Sequence, residues 1–221
     1  IPHKQAVTEY LDGVDSLAQR IGAVNTVINK NGKFTGTNTD AYGFISHLKE
    51  THTGSLDGDI KKHIKNVVIL GAGGATRAAI VALKDAGAES ITLTNRTDKT
   101  AKKMADEFHV EHLPWDVREE LLADATLLVN TTSLGMEGKP ALELNINTLP
   151  NGAAVYDIVY APLETELLKQ ARLRGNTVVD GLGMLLYQAQ LAFKEWFGVL
   201  PAVTPALRAH VLEKMNDAAE S

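Results

Sequence analysis

Residues 67–79, VVILGAGGATRAA, constrain the fold more than any other part of the chain. A short apolar run, which predicts a buried strand, leads into a glycine-rich turn and then into residues that favour a helix. Gly71 permits a tight turn, and Gly73 lets the backbone approach a pyrophosphate without an intervening Cβ atom. The free N–H groups and the positive dipole end of the following helix favour an anion. We therefore expect a nucleotide-phosphate site at this turn.

The glycine pattern is weak evidence by itself, because its spacing departs from G-x-G-x-x-G: the third small position is Thr76 or Ala78. The context strengthens it, since a second predicted strand begins at Ser90, within the length of one βαβ unit. The residues expected to line the site are five successive small ones: Gly71, Ala72, Gly73, Gly74 and Ala75.

The end of the second strand indicates which dinucleotide binds. Enzymes that use NAD usually carry Asp or Glu about 20 to 25 residues after the first glycine, where it accepts the ribose hydroxyls and repels a 2′-phosphate. Here Asn95, Arg96 and Thr97 stand at that place, and Arg and Thr side chains can donate hydrogen bonds to a phosphate. The triplet predicts NADP. Asp98 leaves an alternative open, because a shift of one residue would make it the ribose-binding acid.

Composition and charge exclude several classes of protein. The 221 residues carry 22 Lys and Arg against 27 Asp and Glu and contain no cysteine. We therefore expect no nucleic-acid partner, no disulfide and no thiolate metal site. No apolar run approaches the roughly 20 residues that cross a bilayer, so we expect no membrane span and a cytoplasmic protein. The histidines show no ligand spacing with acidic residues, and we expect no metal site.

Strand and helix patterns alternate after residue 66. The predicted strands are apolar, β-branched runs at residues 67–70, 90–95, 125–131, 153–158 and 176–179. The predicted helices lie between them, at residues 76–86, 99–108, 115–123 and 162–174. This alternation predicts an α/β protein with a doubly wound, Rossmann-like parallel sheet.

The region before residue 66 follows a different pattern. Apolar residues at helical spacing predict a helix over residues 5–21, and the dipeptide Asn31-Gly32 predicts a hairpin over residues 23–38. A helix is also expected over residues 41–48. Residues 51–65 are polar, contain glycine and read as a linker. These residues predict the remnant of a smaller α/β domain beside the parallel sheet.

Segments along nearly the whole chain resemble the shikimate dehydrogenase family, with the quinate/shikimate dehydrogenases as close relatives. They are IPHK, IGAVNT, GTNTDAYGF, GAGGATRA, NRT, NTTSLGM, YDIVYAPLET and DGLGMLLYQAQLAFKEWFG, in family order. The resemblance implies an NADP-dependent reduction of 3-dehydroshikimate to shikimate. It leaves two alternatives: a quinate/shikimate dehydrogenase that accepts NAD, and a cofactor- or ligand-sensing module without catalysis.

Hydride transfer to a ketone builds negative charge on oxygen, so the site needs a proton donor and a group that holds the donor. By motif match, the resemblance implies Lys4 as that donor and Asp40 as its partner. It implies three substrate-binding residues, Asn25, Tyr160 and Gln188. It also implies that the cofactor is bordered by Thr131 after the third strand and by the backbones of Ile158 and Gly181.

The resemblance has consequences for the domain organisation. Gln188 follows the cofactor domain but must reach the substrate, so we expect the helix at residues 185–197 to return to the first domain. The predicted domains are then residues 1–50 with 184–221 for substrate and residues 51–183 for NADP. The apolar stripe of that helix is expected in the core: Leu185, Leu186, Ala189, Ala192, Phe193 and Trp196.

Family members normally carry a further N-terminal segment with a Ser-x-Ser pair for the substrate carboxylate. It is absent from this sequence, so we expect the chain to bind NADP better than it binds shikimate. We expect a monomer or a homodimer.

Overall fold

The computed structural model describes residues 3–219, and the first part of the chain forms a three-stranded sheet. Its strands are β1 (Gly13–Val14), β2 (Thr26–Lys30) and β3 (Lys33–Thr37), with β3 between the other two. β2 and β3 pair antiparallel as the predicted hairpin. Asn31 and Gly32 have φ angles of 55° and 83°, which fits the type I′ turn that Asn-Gly favours.

The prediction of one helix over residues 5–21 is wrong. Residues Ala6–Tyr10 form a short 3₁₀ helix, β1 pairs in parallel with β3, and only Ser16–Ile21 (α1) is α-helical. The side chain of Asp15 accepts a backbone N–H of the first turn of α1. The apolar spacing fits a helix, but pairing with β3 and this cap favour a strand and a later helix start.

The second part of the chain contains a six-stranded parallel sheet, which confirms the predicted fold class. The strand order is that of a doubly wound sheet, β6-β5-β4-β7-β8-β9. The five predicted strands are present, and β6, of two residues, was not predicted. The strands are β4 (Asn66–Leu70), β5 (Ser90–Thr94), β6 (Glu111–His112), β7 (Leu127–Asn130), β8 (Ala154–Asp157) and β9 (Thr177–Val179).

Six further α-helices accompany these strands. They are α2 (Asp40–Thr53), α3 (Gly74–Asp85), α4 (Asp98–Phe108), α5 (Glu166–Leu173), α6 (Gly181–Phe197) and α7 (Pro205–Ala219). The helix predicted over residues 115–123 is wrong, because two short 3₁₀ helices, Trp115–Val117 and Glu120–Leu122, occupy it. The side chain of Arg118 donates to the carbonyl oxygens of Trp115 and Glu143, which ties this segment to a distant loop.

The strand order reverses between β4 and β7, which lie side by side in the middle of the sheet. In such sheets the crevice at the carboxyl ends of the two strands binds ligands. The glycine turn follows β4, and Thr131 follows β7. The topology therefore places both segments at one edge of the sheet.

Helix α6 returns to pack against α2. A Cβ atom at Gly43 on α2 would lie 2.6 Å from the carbonyl oxygen of Met184, so the two backbones are in close contact. Leu186 and Ala192 are buried as predicted and Leu185 is half-buried. The core placement of Ala189, Phe193 and Trp196 is wrong, since Ala189 is exposed and the two aromatic side chains are 42% and 54% exposed. The end of α6 runs beyond the core to β2, where Trp196 Nε1 donates to the carbonyl oxygen of Val27.

One apolar core joins the two parts of the chain. Phe44 of α2 stacks on Tyr156 of β8 with ring centroids 4.6 Å apart, and both side chains are fully buried. This contact holds α2 against the parallel sheet. In the part of the chain that the structure describes, we find no helix long and apolar enough to span a membrane.

Candidate active site

Lys4 and Asp40 form an ion pair. The amine Nζ of Lys4 lies 2.5 Å from Oδ2 of Asp40, and the two side chains are 26% and 6% exposed. Asp40 is the first residue of α2, which begins one residue before the predicted helix start and three residues after the end of β3. The positive end of the helix dipole therefore lies at this carboxylate. The pair can hold and transfer a proton at the Lys4 amine.

Amide side chains surround the same carboxylate. Asn25 Nδ2 donates to Asp40 Oδ1 and to Thr39 Oγ1, each at 2.9 Å. Gln188 Oε1, on α6, lies 3.4 Å from Asn25 Nδ2 and from Thr39 Oγ1. The structure thus brings together Asn25 and Gln188, which are 163 positions apart in the chain. Thr39 was not predicted; its position in GTNTDAYGF, directly before Asp40, was the available signal.

The glycine turn has the geometry of a phosphate cradle. Gly71 has a φ of 111°, and a Cβ atom there would lie 2.6 Å from Thr131 Oγ1. A Cβ atom at Gly73 would meet no atom within 4 Å, so this backbone is open to a ligand. Gly74 begins α3 and directs its first N–H groups to the same side. These observations fit a bound dinucleotide phosphate.

Thr76 accounts for the departure from G-x-G-x-x-G. Its Oγ1 accepts a hydrogen bond from the Gly73 N–H at 2.9 Å and lies 2.8 Å from Thr131 Oγ1. Thr131 Oγ1 in turn donates to the carbonyl oxygen of Leu70 at 2.8 Å. Because the Thr131 proton is used in that bond, Thr76 donates to Thr131. A hydroxyl network thus joins the glycine turn to the loop after β7, where a third glycine would make no such bond.

The residues after β5 are arranged for an exposed anion. Arg96 and Thr97 are exposed, and Asn95 Nδ2 donates to the carbonyl oxygen of Thr97 at 3.1 Å. Asp98, the alternative ribose-binding acid, begins α4, and its Oδ1 lies 3.0 Å from Nε2 of His112. Arg96 is thus exposed at the place where a 2′-phosphate is expected.

The loops after β8 and β9 meet at one wall of the site. Tyr160 is 38% exposed, whereas Ile158 is half-buried. A Cβ atom at Gly181 would lie 2.2 Å from the carbonyl oxygen of Ile158, so only glycine fits there. Asp180 caps α6 by accepting from the N–H of Leu182. The backbones of Ile158 and Gly181 are thus in direct contact.

Arg77 lies within a predicted helix and is not among the candidate site residues, but it is 7% exposed and contacts α1 and α4. Its Nε donates to the carbonyl oxygen of Ile21 at 2.5 Å, and its guanidinium pairs with Glu107 and lies over the ring of Phe108. The signal was an arginine within the apolar run ATRAAIVAL. Arg77 joins α1, α3 and α4 beneath the site.

Among the residues that the structure describes, no cluster of three or more His, Asp or Glu side chains is suited to hold a metal ion. The site consists instead of one ion pair, two amides, a hydroxyl and an open glycine turn.

Family models match three parts of the chain. The model for "Shikimate / quinate 5-dehydrogenase" matches residues 56–137. The "Shikimate dehydrogenase substrate binding domain" matches residues 1–27, and the "Shikimate 5'-dehydrogenase C-terminal domain" matches residues 181–209. A similar curated protein is the shikimate dehydrogenase (NADP(+)) of Sinorhizobium fredii, which is 45% identical over 98% of this chain and 74% of its own length.

Two solved structures are similar as well. Shikimate 5-dehydrogenase of Thermus thermophilus, in complex with NADP(H) and shikimate, is 40% identical with a TM-score of 0.80, covering 91% of this chain and 72% of that one. Quinate dehydrogenase of Corynebacterium glutamicum, in complex with NAD, is 34% identical with a TM-score of 0.86, covering 96% and 75%.

Proposed function

This chain belongs to the shikimate dehydrogenase family, and on that premise we propose that Lys4 and Asp40 carry out the proton step of the family's reaction. The protein is an NADP-dependent oxidoreductase that acts on a CH–OH group. It catalyses the reversible reduction of 3-dehydroshikimate to shikimate in the biosynthesis of chorismate and the aromatic amino acids. The observation that carries the proposal is the Lys4–Asp40 ion pair beside the glycine turn.

Bound NADPH supplies the hydride that reduces the substrate ketone. In this proposal Lys4 Nζ donates a proton to the carbonyl oxygen as negative charge builds there, and accepts it back in the oxidation of shikimate. Asp40 Oδ2 orients the amine by accepting from it at 2.5 Å.

The substrate is a polyol, and the proposed binding residues suit hydroxyl groups. The amides of Asn25 and Gln188 can each donate and accept a hydrogen bond, as a hydroxyl does. They lie within hydrogen-bond reach of the Asp40 carboxylate or of its neighbour Thr39. Tyr160 is proposed to lie beside the substrate, near the reacting carbon. These contacts would orient the ring hydroxyls relative to Lys4.

The proposed cofactor site runs along the carboxyl edge of the parallel sheet. Its phosphate-binding residues are Gly71, Ala72, Gly73, Gly74 and Ala75, followed by Asn95, Arg96 and Thr97 at the 2′-phosphate. Thr131 would border the cofactor after β7, and the backbones of Ile158 and Gly181 would form the wall at the hydride-transfer end. The opening at Gly73 supports this assignment.

We also propose the division into a substrate domain of residues 1–50 and 184–221 and an NADP domain of residues 51–183. The packing of α6 against α2 supports it. The protein is proposed to act as a monomer or homodimer in the cytoplasm.

The test is to measure formation of the reduced cofactor with shikimate and with quinate: NADPH where NADP⁺ is supplied and NADH where NAD⁺ is supplied. We expect shikimate with NADP⁺ to give the highest kcat/KM. A preference for quinate or NAD⁺ would favour the quinate/shikimate dehydrogenase alternative. Binding of NADP⁺ without turnover of either polyol would overturn the proposal and favour the sensing module.

A further inference from the structure

Asp157 is a fully buried carboxylate that neither the proton step nor ligand binding uses. It ends β8 with 0% exposure, directly before Ile158. Within residues 3–219 no ion pair includes it. A buried unpaired charge is costly. Hydrogen bonds must therefore compensate for the burial of this group.

Those hydrogen bonds come from three segments. Asp157 Oδ1 accepts from Asn130 Nδ2 at the end of β7 and from the Val159 N–H, both at 3.0 Å. Oδ2 accepts from Thr165 Oγ1, the N-cap of α5, at 2.7 Å. One carboxylate thus fastens the end of β7, the loop after β8 and the start of α5.

The bonds continue into the loop after β7. Asn130 Oδ1 accepts from both the N–H and the hydroxyl of Thr132, and Asn130 Nδ2 also donates to the carbonyl oxygen of Leu134. This loop contains Thr131, which contacts the glycine turn. The loop after β8 contains Ile158, whose carbonyl oxygen lies against Gly181. The loops after β7 and β8, which are both assigned to the cofactor, are therefore held by hydrogen bonds that lead to Asp157.

We infer that Asp157 is a positioning residue for hydride transfer: its hydrogen bonds to Asn130, Val159 and Thr165 set the relative placement of the loops after β7 and β8. The inference rests on the proposed function, because those loops are assigned to the cofactor there.

An amide at this position cannot replace the carboxylate. Three donors converge on two oxygens, and an amide offers one acceptor oxygen and an NH₂ group. In one orientation the NH₂ group faces Thr165. The Thr165 hydroxyl must then accept from the NH₂ group while it already accepts from the Leu168 N–H. The Thr165 hydroxyl proton no longer has an acceptor. In the other orientation the NH₂ group faces Asn130 Nδ2 and the Val159 N–H, which are also donors and lose their acceptor. Either orientation leaves a buried donor unpaired, which displaces the loops.

Burial raises the pKa of Asp157 to about 6, against the opposing effect of its hydrogen bonds from Thr165, Val159 and Asn130. The charged side chains that line the adjacent cavity of about 170 Å³ are Lys139 and Glu166. Protonation of Asp157 converts one acceptor oxygen into a donor, as the amide does. The effect of an amide substitution should therefore be largest above the pKa and should diminish below it.

The experiment compares Asp157→Asn with the parent chain in NADP-dependent oxidation of shikimate. We expect kcat to fall about ten- to a hundredfold near pH 8, since displacement of reacting groups by less than 1 Å has effects of this size. The ratio of parent to variant kcat should approach one below about pH 5, because both proteins then carry a donor at this position. The control Asp124→Asn, at an exposed carboxylate on the opposite end of the sheet, should leave kcat unchanged.

A second pair of variants separates positioning from folding. Thr165→Val removes the donor to Oδ2 and should lower kcat as Asp157→Asn does, whereas Thr165→Ser retains the hydroxyl and should restore it. Amide hydrogen exchange without ligands should increase at Thr132 and Val159 in Asp157→Asn and stay unchanged in β4. A parent-like kcat, or unchanged exchange at both amides, would overturn the inference. A parent chain that does not oxidise shikimate would overturn the proposed function, while the exchange experiment would still test the role of Asp157.

Discussion

Lys4 lies beside Gly74 although 70 positions separate them: Lys4 Cδ is 4.0 Å from the place that a Cβ atom at Gly74 would take. The Val24 N–H donates to the carbonyl oxygen of Lys4 at 2.7 Å, which holds the N-terminal segment on the residues leading into β2. The proposed proton donor therefore stands at the start of α3. Substitutions at Lys4 and in the glycine turn act on adjacent parts of one site.

Lys4→Ala should lower kcat by about 10² to 10⁴, the usual contribution of a general acid, and leave NADP affinity nearly unchanged. The check is steady-state kinetics at saturating shikimate together with a fluorescence titration of NADPH. Lys61→Ala, at an exposed lysine on the linker, is the control. A higher KM with an unchanged kcat would mean that Lys4 only binds the substrate.

Asp40→Asn should lower both kcat and substrate affinity. The carboxylate accepts from Lys4 on one oxygen and from Asn25 on the other, and an amide presents a donor to one of them. Because Lys4 and Asp40 act as a unit, the double variant with Lys4→Ala should be little worse than the poorer single variant. Multiplicative losses in the double variant would contradict this coupling.

Arg96→Ala should weaken NADP binding about ten- to a hundredfold, because a hydrogen bond to a charged group contributes about 1.5 to 3 kcal/mol. Affinity for NAD should change little, since NAD lacks the 2′-phosphate. Lys102→Ala, at another exposed cation nearby on α4, is the control. Equal losses for NADP and NAD would refute the role of Arg96.

Gly43→Ala should destabilise the protein by about 1 to 3 kcal/mol. The new Cβ atom would lie 2.6 Å from the carbonyl oxygen of Met184 and 2.9 Å from Gln188 Cβ, and this clash outweighs the roughly 1 kcal/mol that alanine adds to a helix. The KM for shikimate should rise as Gln188 moves. Gly152→Ala, where nothing lies within 4 Å, is the control in urea unfolding. Equal stability of the two variants would contradict the close packing of α2 and α6.

The stability of Asp157→Asn relative to the parent chain should increase with pH. Burial raises the pKa of Asp157 from 3.8 to about 6, so the folded chain binds this proton more tightly than the unfolded chain. The folded parent chain therefore loses stability as pH rises from about 4 to above 6, and its stability no longer depends on this carboxyl at higher pH. This loss of stability is on the order of 3 kcal/mol. Asp157→Asn does not show it, because an amide does not ionise. Urea unfolding between about pH 4 and 8 checks this; a stability difference independent of pH would contradict it.

Local patterns in the sequence predicted the parts of the fold that depend on neighbouring residues. The turn at Gly71 and the hairpin turn at Asn31 and Gly32 need particular φ angles, which few residue types adopt. The apolar, β-branched runs predicted five buried strands, because residues covered on both faces must be apolar. The family resemblance added Lys4, Asp40, Asn25 and Gln188, which no local pattern distinguishes from surface or helix-face residues.

Tertiary structure alone decided which residues meet. The pairing of β1 with β3 overrode a helical pattern, and the path of α6 left Phe193 and Trp196 exposed although their spacing predicted burial. The hydrogen bonds to Asp157 come from Asn130, Val159 and Thr165, which have no common sequence signal. The physical reason is that helix and strand periods and turn angles are properties of short segments, whereas burial and hydrogen-bond partners depend on how all segments pack.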